Sequence, residues 1–95
     1  MDFQILSPEE LKSKLEDSGH WAKIKAGEYT PFIEKNVPSN KYDHGRSLII
    51  SYYDHTRYIC TIHRMTDRRR SVKHEHPKRA IIEGVEYRIP ENLDI

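Results

Sequence analysis

The sequence predicts an α+β domain, with one N-terminal capped helix packed on an antiparallel sheet of about five strands. Three features predict it. "ILSPEELKSKLEDSG" carries a helix start and stop, "RSLIISYYD" and "TRYICTIHRM" alternate as strands do, and turn residues cut the remainder into short pieces. A sheet of this kind has room to curl into a partly open barrel. Ninety-five residues suffice for one domain, 1–95, with a single core.

The helix is justified first. Ser7 can accept from backbone N–H groups of the first turn, Pro8 suits the first helical position, and Glu10 completes a capping box. Leu6 and Leu11 are spaced as a hydrophobic staple, Leu11 and Leu15 share a face, and Gly19 supplies a left-handed stop. The helix is predicted from Pro8 to Asp17. So short a helix is stable only when docked, which makes it scaffold.

From His20 to Tyr42, Trp21, Ile24, Tyr29, Phe32, Ile33 and Val37 can cover a core, but Gly27, Pro31 and Pro38 break the segment. A strand is expected near Trp21 to Lys25, then a loop that packs through Phe32. "PSNKYDHGR" is turn material.

Two strands follow, joined at Asp54 to Thr56. In the second, Arg57, Ile59, Thr61, His63 and Met65 face one way and Tyr58, Cys60, Ile62 and Arg64 the other. "TDRRR" makes a turn, "SVKHEH" a third strand ended by Pro77, and "RAIIEGVEYRIP" a hairpin with Glu83 and Gly84 at its tip. The tail "PENLDI" reads as a short cover docked through Leu93.

Composition narrows the function classes. Apolar residues make up 36% of the chain and charged residues 33%, with a mean hydropathy of −0.85. No uninterrupted apolar run exceeds three residues, as in Leu48 to Ile50, and the start "MDFQILSPEE" lacks the pattern of a secretory signal. No membrane partner is expected. The single Cys60 cannot pair within the chain, so a reducing, cytoplasmic setting is expected, with Cys60 as a packed strand residue.

The charge is asymmetric. Between Arg64 and Arg79 stand seven Lys/Arg (Arg64, Arg68, Arg69, Arg70, Lys73, Lys78 and Arg79) against Asp67 and Glu75, a local balance of +5, while the rest of the chain sums to −4. A concentrated positive surface is what phosphate binding requires, because each neutralised phosphate releases counterions. Arginine outnumbers lysine here, which suits bidentate phosphate contacts.

Histidines lie inside the same stretch. His74 and His76, two apart on a strand, project from one face, and His63 joins them if the preceding strand places it opposite His74. Two chemistries fit. One imidazole can take the 2′-hydroxyl proton of RNA while another protonates the leaving 5′-oxygen and an arginine stabilises the phosphate, needing no cofactor. Alternatively the imidazoles hold Zn²⁺, with Glu75 excluded because it points to the opposite face. Tyr58 or Tyr87 can stack a base, and His55 beside Asp54 forms a second-tier acid–histidine pair in a turn.

The expected function is therefore nucleic-acid binding, RNA preferred, with RNA cleavage through His63, His74 and His76 and phosphate contacts from the cations above. An exposed sheet with aromatics suits single strands, and no recognition-helix pattern appears. In general outline, a small α+β domain with a basic, histidine-bearing sheet resembles microbial toxin-type ribonucleases, a likeness of architecture carried by no shared motif. The alternative is a non-enzymatic inhibitor or adaptor that meets an acidic protein through the basic hairpin.

Overall fold

A computed structural model describes residues 2–91 and places two helices on one side of a six-stranded mixed sheet. Along the chain run β1 (Phe3–Ile5), α1 (Pro8–Asp17), α2 (His20–Lys25), β2 (Thr30–Pro38), β3 (Arg46–Asp54), β4 (Arg57–Thr66), β5 (Val72–Ile82) and β6 (Val85–Arg88). The spatial order is β1-β6-β5-β4-β3-β2, with β1 parallel to β6 and every other pair antiparallel. β1 and β2 are edges, so the sheet does not close into a barrel. Leu93 and the expected docking of the tail lie outside the described residues.

α1 begins and ends where its local chemistry dictates. Ser7 Oγ accepts from the Glu10 N–H at 3.1 Å, and the Glu10 carboxylate accepts from the Ser7 N–H at 3.0 Å. Both bonds satisfy donors that a helix start otherwise leaves unpaired. Gly19, at φ 84°, then turns the chain directly into α2. The expected strand near Trp21 to Lys25 is thus a helix. In a strand Trp21 and Ile24 would point to opposite faces, whereas three residues apart on a helix they share one, and both are buried. Lys25, one turn on, lies 5.3 Å over the Trp21 ring.

Leu11, Leu15, Trp21 and Ile24 from the helices pack on Ile50, Tyr52, Cys60, Ile62, Ala80, Ile82 and Tyr87 of the sheet in one buried cluster. Each fully buried aliphatic side chain of this kind contributes roughly 1.5–3 kcal/mol. Cys60 belongs to this layer, and burial pushes its thiol up to about 12.

Irregular pairing re-aims several residues. Tyr52 pairs with Cys60 and Tyr53 with Tyr58, leaving Ile59 as an extra residue. Such a bulge breaks alternation. Ile59 therefore joins Cys60 in the core, and Tyr58, expected opposite Thr61, shares its face and bonds its hydroxyl at 2.6 Å. Pro77 does not end β5: it pairs with Ile62, Arg79 pairs with Thr61, and Lys78 is the bulged residue between them. Proline is tolerated at such irregularities. The segment around Phe32, expected as a packed loop, is edge strand β2, and Phe32 is 60% exposed. The β5–β6 turn follows expectation, with Glu83 and Gly84 both at positive φ, the pattern of a tight two-residue hairpin loop.

Candidate nucleic-acid interface

Among the described residues, the helices cover one face of the sheet and leave the other uncovered. Because β4 alternates beyond its bulge, Thr61, His63 and Met65 point to the uncovered face, joined by Ser47, Ile49 and Ser51 from β3 and by His74 and His76 from β5. This face holds an open groove of about 690 Å³. His63, His76, Ser47 and Ile49 line its floor, with Lys35 and Lys78 among the lining cations. The 39–45 loop adds Asn40 and Lys41.

The three histidines converge, in a different register from the one anticipated. His63 pairs with His76, and His74 with Met65. An offset of two residues keeps the parity, so all three rings still share a face. The His63 and His76 rings meet edge to face at 5.2 Å, and those of His74 and His76 lie 5.0 Å apart. His76 Nδ1 and His74 Nε2 are 3.1 Å apart, so one carries the hydrogen and the other accepts it. Ser47 Oγ lies 2.8 Å from His63 Nε2. Burial pushes the His76 imidazole down to about 4, and the neighbouring His63, His74 and Lys78 act in the same direction. At neutral pH His76 is uncharged.

A hydroxyl chain adjoins the histidines. Thr61 Oγ1 lies 2.8 Å from Ser51 Oγ and 2.6 Å from the Tyr58 hydroxyl, and Ser51 donates to the Glu34 carboxylate. Desolvation raises the Tyr58 phenol to about 12, so it remains a neutral donor.

The predicted cations fall in three places. Lys78 and Arg79 lie on the uncovered face, where the Arg79 guanidinium stacks 4.7 Å over Tyr58 and pairs with Glu86 at 2.9 Å. Arg68, Arg69 and Arg70 are exposed in the β4–β5 turn. There Asp67 Oδ1 accepts from the N–H groups of Arg69 (2.8 Å) and Ser71 (3.0 Å), while Lys73 lies 3.8 Å from Asp67 Oδ2. Arg64 points to the helix side, where it shares Glu75 with Lys25 and donates to the Tyr52 hydroxyl at 3.1 Å. These two cations hold the Glu75 carboxylate below its ordinary range against the effect of burial. Glu75 thus points away from the histidines, as expected.

Tyr87 is buried in the core under Lys14 rather than on the uncovered face. His55 does meet Asp54, at 2.9 Å, because a positive φ of 58° turns it back, but its side chain is fully in solvent. Among the described residues no group of three or more His, Cys, Asp or Glu side chains is arranged to hold a metal ion.

Lys35, Lys41 and Ser47 join the site without having been singled out from sequence. Ser47 alone left a signal there, sharing the strand parity of Ile49 and Ser51 in β3. No protein-family model matches the chain, and neither a curated protein nor a solved structure matches it significantly.

Proposed function

We propose that this chain binds single-stranded nucleic acid, RNA in preference to DNA, in the groove of its uncovered sheet face. The observation that carries the reading is the composition of that groove, lysines beside a floor of hydrogen-bonding and apolar side chains. A phosphate backbone needs mobile cations that are not already paired within the fold, while bases and sugar hydroxyls need donors, acceptors and flat surfaces. The basic turn extends the same surface. Gly45 of the 39–45 loop packs against Thr66, the residue before the turn, so Lys41 and Arg68, Arg69 and Arg70 gather at one end of the sheet.

Cleavage is the catalytic extension of this reading. His76, neutral and 3.1 Å from His74, is the base that takes a 2′-hydroxyl proton, with His74 or His63 returning a proton to the leaving oxygen. A base titrating near 4 has little driving force at neutral pH, so turnover is slow. Metal is not required by this scheme, and the compartment in which it fits is the cytoplasm.

The test is binding of a labelled, short mixed-sequence single-stranded RNA by fluorescence anisotropy. Joint replacement of Lys41 and Lys78, which lie outside strand β2, by alanine is expected to weaken binding at low salt by about tenfold or more, and to flatten the log–log salt dependence by roughly 0.7 per lost phosphate contact. Joint Arg68→Ala, Arg69→Ala and Arg70→Ala is expected to act in the same direction with the fold intact. Unchanged affinity in both variants would remove this surface from the account. It would leave the second reading, recognition of an acidic protein, for which the exposed arginine turn supplies the cations.

A further inference from the structure

Edge strand β2 has a self-complementary sequence. "PFIEKNVP", residues 31–38, reads towards its centre as Pro31 and Pro38, Phe32 and Val37, Ile33 and Asn36, Glu34 and Lys35. Phe32 and Ile33 are 60% and 54% exposed, the two most exposed large apolar side chains among the described residues. We propose that two copies of this chain pair through β2, antiparallel about a two-fold axis between Glu34 and Lys35, so that one sheet runs through both.

Geometry supports this register. Residues opposite one another in an antiparallel pair must point to the same face, and in a regular strand neighbours such as Glu34 and Lys35 do not. Here they do, because β2 is bulged at its centre: Ile33 pairs with Ile50 and Lys35 with Ile49, leaving Glu34 as the extra residue. Phe32 pairs with Ser51, Lys35 with Ile49 and Val37 with Ser47, so these three share the uncovered face. Glu34 reaches the same face through Ser51. Ile33 and Asn36, paired with Ile50 and Leu48, share the helix side. Every pair across the proposed axis therefore matches in face.

Backbone bonding agrees. Proline in an edge strand sits where its missing N–H would face outwards. That places the outward groups on Pro31 and Pro38 and, two residues inwards, on Ile33 and Asn36, which stand opposite each other across the axis; the Asn36 carbonyl accepts from the Arg46 guanidinium at 3.0 Å, and its second lone pair is left for the Ile33 N–H of the second copy. The prolines then close the pairable segment at each end. Charge is complementary, each Glu34 meeting the Lys35 of the second copy twice over, and Phe32 covers Val37. A bulge, a lysine and prolines on an edge are also devices against open-ended pairing. A closed two-fold pair is compatible with them because it uses the bulge and stops at the prolines.

The experiment is a charge exchange read by sedimentation or light scattering over a concentration series, with circular dichroism confirming that each variant folds. Wild type is expected to form dimers. Glu34→Lys sets lysine against lysine at both contacts across the axis, and Lys35→Glu sets glutamate against glutamate, so each alone is expected to weaken dimerisation by about tenfold or more. Mixed in equal amounts, the two variants meet lysine to glutamate at both contacts and are expected to restore the dimer as a heterodimer. A wild type that stays monomeric throughout, variants that dimerise alone as well as wild type does, or a mixture of folded variants that stays monomeric would each overturn the proposal.

Discussion

Gly45→Ala is expected to lower the stability of the fold by on the order of 2–3 kcal/mol and to weaken RNA binding with it. A Cβ built on Gly45 lies 2.1 Å from the carbonyl oxygen of Thr66 and 3.0 Å from both Cβ and the carbonyl oxygen of Tyr42. Neither partner is a flexible side-chain end. Thr66 is held in the sheet by pairing with Arg46 and Val72, so the loop has to give way. Its closing bonds run through Gly45 itself, whose N–H donates to Tyr42 at 2.9 Å and whose carbonyl accepts from Ser39 at 3.0 Å. Displacing the loop moves Lys41 and Asn40 away from the groove. Urea denaturation and RNA anisotropy on the same preparation measure both effects. A variant as stable as wild type would mean that the loop does not seat on β4 in this way.

Acid is expected to destabilise the protein in two stages, the first set by His76. An unfolded histidine titrates near 6.5, whereas His76 in the fold titrates at about 4. Between these values the unfolded chain binds a proton that the folded chain does not, so stability falls as pH drops from about 6.5 towards about 4. The full effect is ~3 kcal/mol by the free-energy equivalent of the shift. Above about pH 7.5 both states are essentially neutral at this residue and it adds no slope. His63, His74 and Lys78 oppose its charging and Glu9 favours it, so salt should moderate the effect. Glu75 governs the second stage. Its carboxylate is held below the ordinary range by Lys25 and Arg64, so the stability it contributes is present above the unfolded value and is lost as pH falls through the folded one. Denaturant midpoints from pH 7.5 to 3.5 should show the first slope in wild type and lose most of it in His76→Gln. A flat wild-type profile between pH 6.5 and 4 would contradict the buried, neutral imidazole.

Local signals in the sequence were sufficient where bonding partners lie close in the chain. Ser7, Pro8 and Glu10 define the start of α1 by bonds spanning three residues, and Asp54 pairs with Arg57 across the turn expected there. Strand parity was enough to gather His63, His74 and His76, since an even change of register leaves every side chain on its face. The register itself was not legible, because β4 and β5 are offset by bulges whose positions depend on packing. α2 was hidden because six residues with two buried apolar positions carry too little periodicity to separate helix from strand. Prolines disguised β2 and the continuation of β5, since their cost in a sheet depends on whether the position is an edge or a bulge. Lys35, Lys41 and Ser47 reach the groove from segments far in sequence from the basic stretch, and only the β2–β3–β4 pairing brings them to it.

The measurement that tests the central claim most directly is an amide chemical-shift titration of labelled protein with short single-stranded RNA at low and then raised salt, followed by gel analysis of the RNA with and without chelator. The account predicts salt-sensitive shifts centred on Ser47, His63, His76, Lys78 and the 39–45 loop, with slow cleavage that chelator does not abolish. Absence of shifts at low salt, or shifts confined to α1 and α2, would contradict it.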